Sequence, residues 1–166
     1  SAALQKGNLD DAGYAEMITT TTKLNSIGAD LALRSDVHAM TDVTGFGLLG
    51  HLLEVCRGSG LQATVEAHRL PILPTALTLA KSGVNTGAAG RNWASYGDEV
   101  TLPDDLADWR HALLCDPQTS GGLLVTCAAD SADEIVALFH ADGYADAAVI
   151  GQMAEGGRGV TVRDKD

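Results

Sequence analysis

Basic side chains are scarce in this chain of 166 residues, which contains 11 Lys and Arg against 22 Asp and Glu. The formal net charge at pH 7 is −11, and a surface of this sign repels nucleic acids and anionic membranes. The same acidity favours a bound cation. Asp42 and Asp116 are the acids that we interpret as functional, because the others are typical of solvated loops and helix ends. Those others include Asp104, Asp105, Asp108, Asp130, Asp133 and Glu134.

Cysteine and long apolar runs are also lacking. The three cysteines, Cys56, Cys115 and Cys127, have no C-x-x-C spacing and stand among apolar neighbours. They are therefore predicted to be small buried hydrophobes in a reducing cytoplasm. The five histidines do not show the spacing of a zinc site. No apolar run approaches the length of a membrane span and no signal peptide is recognisable, so we predict a cytoplasmic protein without a membrane partner.

The segment TDVTGFGLLGH, residues 41–51, joins an acid to a glycine-rich turn. Apolar residues before it are typical of a short buried strand, and from Leu48 they recur at helical spacing, so Gly45 and Gly47 are predicted at a strand-to-helix turn. The first N–H groups of a helix attract anions, and glycine lets a phosphate approach the backbone. Asp42 would repel that phosphate unless a hard cation such as Mg²⁺ lay between them. The segment thus predicts a site for a phosphate and its metal.

The same segment contains a G-x-G-x-x-G pattern formed by Gly45, Gly47 and Gly50. Glu66 follows at about the distance of a ribose-binding acid in a dinucleotide fold. A dinucleotide-binding or other non-catalytic nucleotide-binding module is therefore the alternative interpretation. Against it, Asp42 brings a charge into the turn, and prolines interrupt the chain where further βαβ units should begin.

The segment DPQTSGG, residues 116–122, is the second candidate site. Its proline fixes one backbone angle, whereas Gly121 and Gly122 allow successive N–H groups to point to one place and bind an anion. Thr119 and Ser120 add hydroxyl donors. The alternative is a plain turn that leads into the buried strand after it.

Periodicity and breakers predict an α+β domain over residues 1–166, with a mixed β-sheet, packed helices and partial likeness to a ferredoxin fold. Helices are expected over 10–33 with a break near Gly28, and over 45–57, 74–82, 105–114 and 131–142. Strands are expected near 37–41, 61–66, 98–102, 122–127, 147–151 and 159–163. Ser131 and Glu134 form a predicted capping box for the last helix, and Gly143 is its predicted stop.

Residues 83–96 show neither helical nor strand periodicity and include Gly87 and Gly90. We predict a long ordered loop here, a feature that is often functional in a compact domain. Within it, Arg91 or Asn92 either binds a phosphate or holds the loop in place, and the structural role is favoured because exposed arginines are common.

Together, the 41–51 segment and the string DPQTSGGLL, which begins at Asp116, resemble the C-terminal-half motifs of the selenophosphate synthetases, or selenide, water dikinases. Those enzymes belong to a superfamily that includes aminoimidazole ribonucleotide synthetase and has an N-terminal ATP-binding half. The likeness covers almost the whole chain. The sequence opens with Ser1-Ala2-Ala3 rather than methionine, so we expect a piece of a longer protein from which that half is absent.

The resemblance implies that ATP, selenide and water give selenophosphate, AMP and phosphate, with Mg²⁺ required. It implies that this half closes the active-site cleft, that Asp42 is a metal ligand, and that the nucleophile lies in the N-terminal half. The residues expected to contact phosphate are Thr44, Gly45, Gly47, Thr119, Ser120, Gly121 and Gly122. A homodimer is expected for the full-length enzyme, and no activity for the isolated domain. The roles of His51 and Cys115 are left open.

Overall fold

The computed structural model describes residues 2–164, and within them the chain forms eight α-helices and six β-strands. The helices are α1 (Ala2–Gln5), α2 (Asp11–Thr21), α3 (Ile27–Leu31), α4 (Gly47–Ser59), α5 (Pro74–Lys81), α6 (Gly87–Tyr96), α7 (Asp108–Leu114) and α8 (Ala132–Ala141). The strands are β1 (Val37–Asp42), β2 (Gln62–Glu66), β3 (Val100–Thr101), β4 (Leu123–Cys127), β5 (Gly151–Ala154) and β6 (Val160–Arg163). The predicted α+β class is confirmed. No helix in this part of the chain is both long and apolar enough to cross a bilayer.

The strands are divided between two sheets. The mixed sheet has the order β3-β6-β2-β5, in which β6 runs parallel to both of its neighbours and β5 runs antiparallel to β2. The other two strands, β1 and β4, form a separate antiparallel pair that sets Asp42 opposite Leu123. The ends of β1 and β4 therefore carry the two candidate segments to the same place.

This topology contradicts the dinucleotide-binding alternative. A βαβ unit needs two parallel strands in one sheet, but β1 and β2, which flank α4, lie in different sheets. Gly50 is buried, and a Cβ there would lie 2.9 Å from the Tyr96 ring. Glu66 lies 3.8 Å from Arg163 on the neighbouring strand β6. These residues thus serve packing and strand pairing.

Helix α4 forms the centre of the larger core. Its buried residues recur every three or four positions, so one apolar stripe faces the mixed sheet, and each buried leucine contributes about 1.5–3 kcal/mol. The stripe consists of Leu49, Leu52, Leu53 and Cys56, and the sheet contributes Ala63, Val65, Val160 and Val162. A second cluster of Ile27, Leu31 and Ile135 lies against the β1–β4 pair.

The predicted capping box of α8 is wrong, although its predicted stop is confirmed. Gly143 has a φ of 84°, the left-handed conformation expected just after a helix. The Ser131 side chain makes no capping hydrogen bond and instead bonds the carboxylate of Asp36. Glu134 accepts a hydrogen bond from Arg34 at 2.7 Å. Both residues therefore fasten α8 to the turn before β1.

The long helix predicted over 10–33 is interrupted earlier than expected. Helix α2 ends at Thr21 and α3 begins at Ile27, whereas Gly28 lies buried inside α3. The hydroxyls of Thr21 and Thr22 donate to carbonyls one turn back, at 2.8 and 2.7 Å, a bond that competes with a regular helix. The strand expected over 147–151 is also displaced, to β5.

The loop predicted over 83–96 is mostly helix α6, so that prediction is wrong. Thr86 caps the helix by accepting the N–H of Ala89 at 3.3 Å. Further along, the Trp93 ring meets the His111 ring edge-on with centroids 4.4 Å apart, and Tyr96 is buried. Packing against the rest of the chain therefore stabilises a helix whose glycines disfavour it.

Candidate functional site

The two candidate segments are in contact at the ends of β1 and β4. The N–H of Val43 donates to the carbonyl of Gly122 at 3.0 Å, which continues the strand pairing by one residue. The N–H of Gln118 donates to the carbonyl of Thr44 at 2.9 Å. The backbone alone thus joins residues about 75 positions apart in the sequence into one surface.

Two glycines make this contact possible. Gly47 has a φ of 68°, and a Cβ there would lie 2.7 Å from the carbonyl carbon of Cys115. A Cβ on Gly121 would overlap the carbonyl oxygen of Val43. Both glycines are buried, so side chains are excluded where the segments touch.

The other candidate residues remain accessible. Gly45 and Gly122 are exposed, with no atom within 4 Å of an added Cβ. Thr119 is exposed and Ser120 is half-buried on the same loop. The 116–122 segment is also held from behind, since the amide of Asn25 donates to the carbonyl of Gly121 at 3.0 Å. This edge therefore presents exposed backbone on a loop that Asn25 anchors.

His51 holds the turn of the 41–51 segment from helix α4. The N–H of Thr44 donates to Nε2 of His51 at 2.9 Å, and the Thr44 hydroxyl lies 3.1 Å from the same nitrogen. Because Nε2 accepts a backbone proton, the neutral ring carries its own proton on Nδ1. His51 is thus a hydrogen-bonding residue of the turn.

Helix α6 supports the same turn from the other side. The Nδ2 of Asn92 donates to the carbonyls of Gly45 and Cys115, both at 2.9 Å. The hydroxyl of Tyr96, one helical turn later, donates to the carbonyl of Phe46 at 2.8 Å. The sequence interpretation missed Tyr96; the spacing of four residues from Asn92 was the available signal.

Arg91, the other candidate on this stretch, has a different contact. Its Nη1 donates to the carbonyl of Gly87 within its own helix at 3.2 Å. The role of holding the local structure, predicted for Arg91 or Asn92, therefore falls to Asn92, which bonds the 41–51 turn and the residue just before the 116–122 segment.

The two candidate acids, Asp42 and Asp116, differ in their surroundings. Asp42 is exposed at the end of β1. Asp116 is half-buried, and its carboxylate accepts a hydrogen bond from the Thr86 hydroxyl at 2.7 Å. Burial raises the pKa of Asp116, and the bond from Thr86 acts in the opposite direction. A carboxylate with a raised pKa is one mark of a functional site.

Cys115, which precedes Asp116, has the environment of an inert thiol. Burial raises its pKa, and the nearby charge of Asp116 adds to that effect, while a hydrogen bond with Tyr96 opposes it. Cys115 and Cys56 are buried, as predicted, and Cys127 is partly exposed. A protonated, buried thiol is a poor nucleophile and a poor metal ligand.

The chain's fit to Mg²⁺ rests on Asp42. An exposed carboxylate beside backbone and hydroxyl oxygens is the kind of donor that a hard cation prefers. Among residues 2–164, however, no three His, Cys, Asp or Glu side chains cluster as a metal site would require. The described residues thus offer one carboxylate suited to such an ion and not a complete ligand set.

Comparisons with known proteins give similar results. The chain is 57% identical over 156 residues to the selenide, water dikinase of Paraburkholderia xenovorans, covering 94% of this chain and 44% of that protein. It is 54% identical over 162 residues to the selenide, water dikinase of Dechloromonas aromatica, covering 98% of this chain and 47% of that protein. The chain therefore spans less than half the length of these curated relatives.

A solved structure is also similar. The thiamine-monophosphate kinase from Stenotrophomonas maltophilia matches with a TM-score of 0.57 and 25% identity, over 96% of this chain and 44% of that one. The family model described as "AIR synthase related protein, C-terminal domain" matches residues 1–164. The chain belongs to this family of AIR synthase related C-terminal domains.

Proposed function

We propose that this chain is the C-terminal half of a two-domain selenide, water dikinase. The reaction is ATP plus selenide plus water to selenophosphate, AMP and inorganic phosphate. Relatives named for this activity are 54–58% identical over nearly the whole chain, which supports the assignment. The full-length protein is then a phosphotransferase whose other half carries the ATP cradle and the nucleophile.

The observation that carries the proposal is the contact between the 41–51 and 116–122 segments. An exposed carboxylate, Asp42, stands beside a glycine turn, and a loop with two hydroxyl groups lies against that turn. Phosphoryl transfer depends chiefly on positioning and on neutralising charge, and not on covalent chemistry by the protein. This surface suits that task because its backbone is fixed and its side chains are few.

Asp42 is the proposed magnesium ligand of this half. The ion, when bound, would neutralise phosphate oxygens that Asp42 alone would repel. Thr44, Gly45 and Gly47 shape the turn around the phosphates. The hydrogen bonds that hold this turn use the N–H groups of Thr44 and Gly47, so those of Gly45 and Phe46 are the proposed donors to a phosphate.

The second loop holds a transferred or released phosphate. Thr119 and Ser120 supply hydroxyl donors, and Gly121 and Gly122 keep the backbone close to β1 and open to the ligand. The expected partner of this half is the protein's own N-terminal ATP-binding domain. The full-length enzyme is expected to form a homodimer. Selenide enters as substrate from the cleft between the halves.

The test is the Asp42→Asn variant of the full-length protein, assayed for selenide-dependent AMP and selenophosphate by chromatography and ³¹P NMR. Asn keeps the size of the side chain but removes the charge that a hard divalent ion requires. Activity should fall by at least about 100-fold, because a metal ligand acts directly on transition-state charge. The unfolding temperature should change little, since Asp42 is exposed.

The matched control is Asp104→Asn, which removes one exposed acid from the turn after β3 and should retain full turnover. Near-normal turnover and Mg²⁺ dependence in Asp42→Asn would remove Asp42 from the metal site. Absence of selenide-dependent AMP formation in the unsubstituted full-length protein would refute the proposed reaction.

A further inference from the structure

The side chain of Asn92 lies between the two segments. Its hydrogen bonds go to residues outside its own helix. Its Nδ2 uses both hydrogens, one on the carbonyl of Gly45 and one on the carbonyl of Cys115, each at 2.9 Å. These acceptors lie 70 residues apart in the sequence. Asn92 is therefore a cross-brace between the turn after Asp42 and the loop that begins at Asp116.

Helix α6 makes one further hydrogen bond to these segments at each of its ends. At its N-terminus the hydroxyl of Thr86 donates to Asp116 at 2.7 Å, and near its C-terminus that of Tyr96 donates to the carbonyl of Phe46 at 2.8 Å. Three residues spaced over the helix thus bind both segments. These bonds hold the adjacent carbonyls of Gly45 and Phe46 toward α6. The helix therefore orients the peptide groups that contain them.

The brace is itself anchored away from the site. The Trp93 ring packs edge-on against His111 of α7, and a Cβ on Gly97 would lie 2.8 Å from the Trp93 ring. Asn92 and Trp93 are successive residues, so they point to different sides of α6. The Asn92 side of α6 bonds the segments, and the Trp93 side packs the helix against α7. Helix α6 thus supports the turn.

We propose that Asn92 is a positioning residue for phosphoryl transfer. It fixes the position of the turn after Asp42 relative to the 116–122 segment, so that both could contact the same bound phosphate and its metal ion. This inference rests on the proposed function, because it assigns Asp42 to the metal. Asn92 acts through the carbonyls of Gly45 and Cys115.

The test compares Asn92→Ala and Asn92→Asp with Gly90→Ala in the full-length protein. Alanine removes both hydrogen bonds. Aspartate keeps the shape of the side chain but replaces the donating Nδ2 by an oxygen, which cannot donate to the two carbonyls. Gly90 lies on the same helix with no atom within 4 Å of an added Cβ, so its substitution changes helix propensity without changing a contact. Two measurements are made: the Mg²⁺ concentration for half-maximal AMP formation, and hydrogen exchange by mass spectrometry.

In both Asn92 variants we expect the half-maximal Mg²⁺ concentration to rise about 10-fold or more, since small misplacements of catalytic groups are costly. The peptides that contain 44–47 and 115–120 should exchange at least about 10-fold faster than in the parent. Gly90→Ala should match the parent in both measurements. The exchange arm needs no reaction, so it tests the brace even if the proposed activity fails.

Asn92 variants with a lower unfolding temperature but unchanged Mg²⁺ dependence would overturn the positioning role and leave a structural one. Unchanged exchange in both peptides would overturn the brace itself. Absence of selenide-dependent AMP formation in the parent, together with faster exchange at 44–47 in the Asn92 variants, would refute the proposed function and not the brace.

Discussion

Gly47 shows at the residue scale how the site depends on backbone contact. Its φ of 68° disfavours any side chain, and a Cβ would lie 2.7 Å from the carbonyl carbon of Cys115. Gly47→Ala should therefore reduce the free energy of unfolding by about 1–3 kcal/mol, the cost of one strained backbone position. Urea unfolding of the chain measures this change.

Gly45→Ala is the control for that substitution, because Gly45 has no positive φ and open space around it. Its unfolding midpoint should stay close to that of the parent. Equal midpoints for both alanine variants would mean that the close approach of Gly47 to Cys115 does not stabilise the fold.

Asp116 gives a second residue-scale prediction, on pH. Because burial raises its folded-state pKa, the folded chain holds this proton more tightly than the unfolded chain does. Its contribution to stability is therefore complete below the ordinary carboxyl pKa of about 4 and is lost as the pH rises through the folded-state value. Asp116→Asn should raise the unfolding temperature modestly at pH 7, since Asn still accepts the Thr86 hydroxyl.

The advantage of Asp116→Asn should shrink toward zero near pH 3, where Asp116 is protonated in both states. Thermal unfolding followed by circular dichroism at several pH values tests this. A variant less stable than the parent at pH 7 would mean that the charged form of Asp116 is stabilised by the fold. That outcome would reverse the direction of the pKa shift.

At the scale of elements, the strand-to-helix turn could be predicted because its signals are local. A short apolar run gives way to the 3.6-residue period of α4, with glycines between them, and each feature is visible in a short window. The contact of the 41–51 segment with the 116–122 segment has no such local signal. Nothing in either segment specifies the antiparallel register that sets Asp42 opposite Leu123.

Helix α6 could not be predicted from its own residues for the converse reason. Its sequence, GAAGRNWASY, is small and glycine-containing, and its stability comes from Trp93, Tyr96 and Asn92 contacting other elements. The capping box failed similarly, because Ser131 and Glu134 satisfy Asp36 and Arg34. Long-range partners override local preference in both cases, and α6 is the case that bears on the candidate site.

At the scale of the whole molecule, the chain carries its own core but only one side of the proposed site. Residues 2–164 contain two clusters of buried residues, one around α4 and one between α3, α8 and the β1–β4 pair. Asp42 and Gly45 lie instead at the surface, and Phe46 at the tip of the turn is 57% exposed. We therefore expect this chain, when studied alone, to fold but to lack catalytic activity.

The isolated chain should unfold cooperatively in calorimetry yet form no selenophosphate from ATP and selenide. Its core suffices for a stable fold of this size, whereas Asp42 without the N-terminal ligands should bind Mg²⁺ only weakly. The measurement pairs a thermal scan with an assay for AMP, and full-length protein serves as the positive control. Selenide-dependent AMP production by the isolated chain would mean that the ATP cradle and the nucleophile lie within these 166 residues. The assignment of catalysis to the other half would then be wrong, however well the fold agreed with its family.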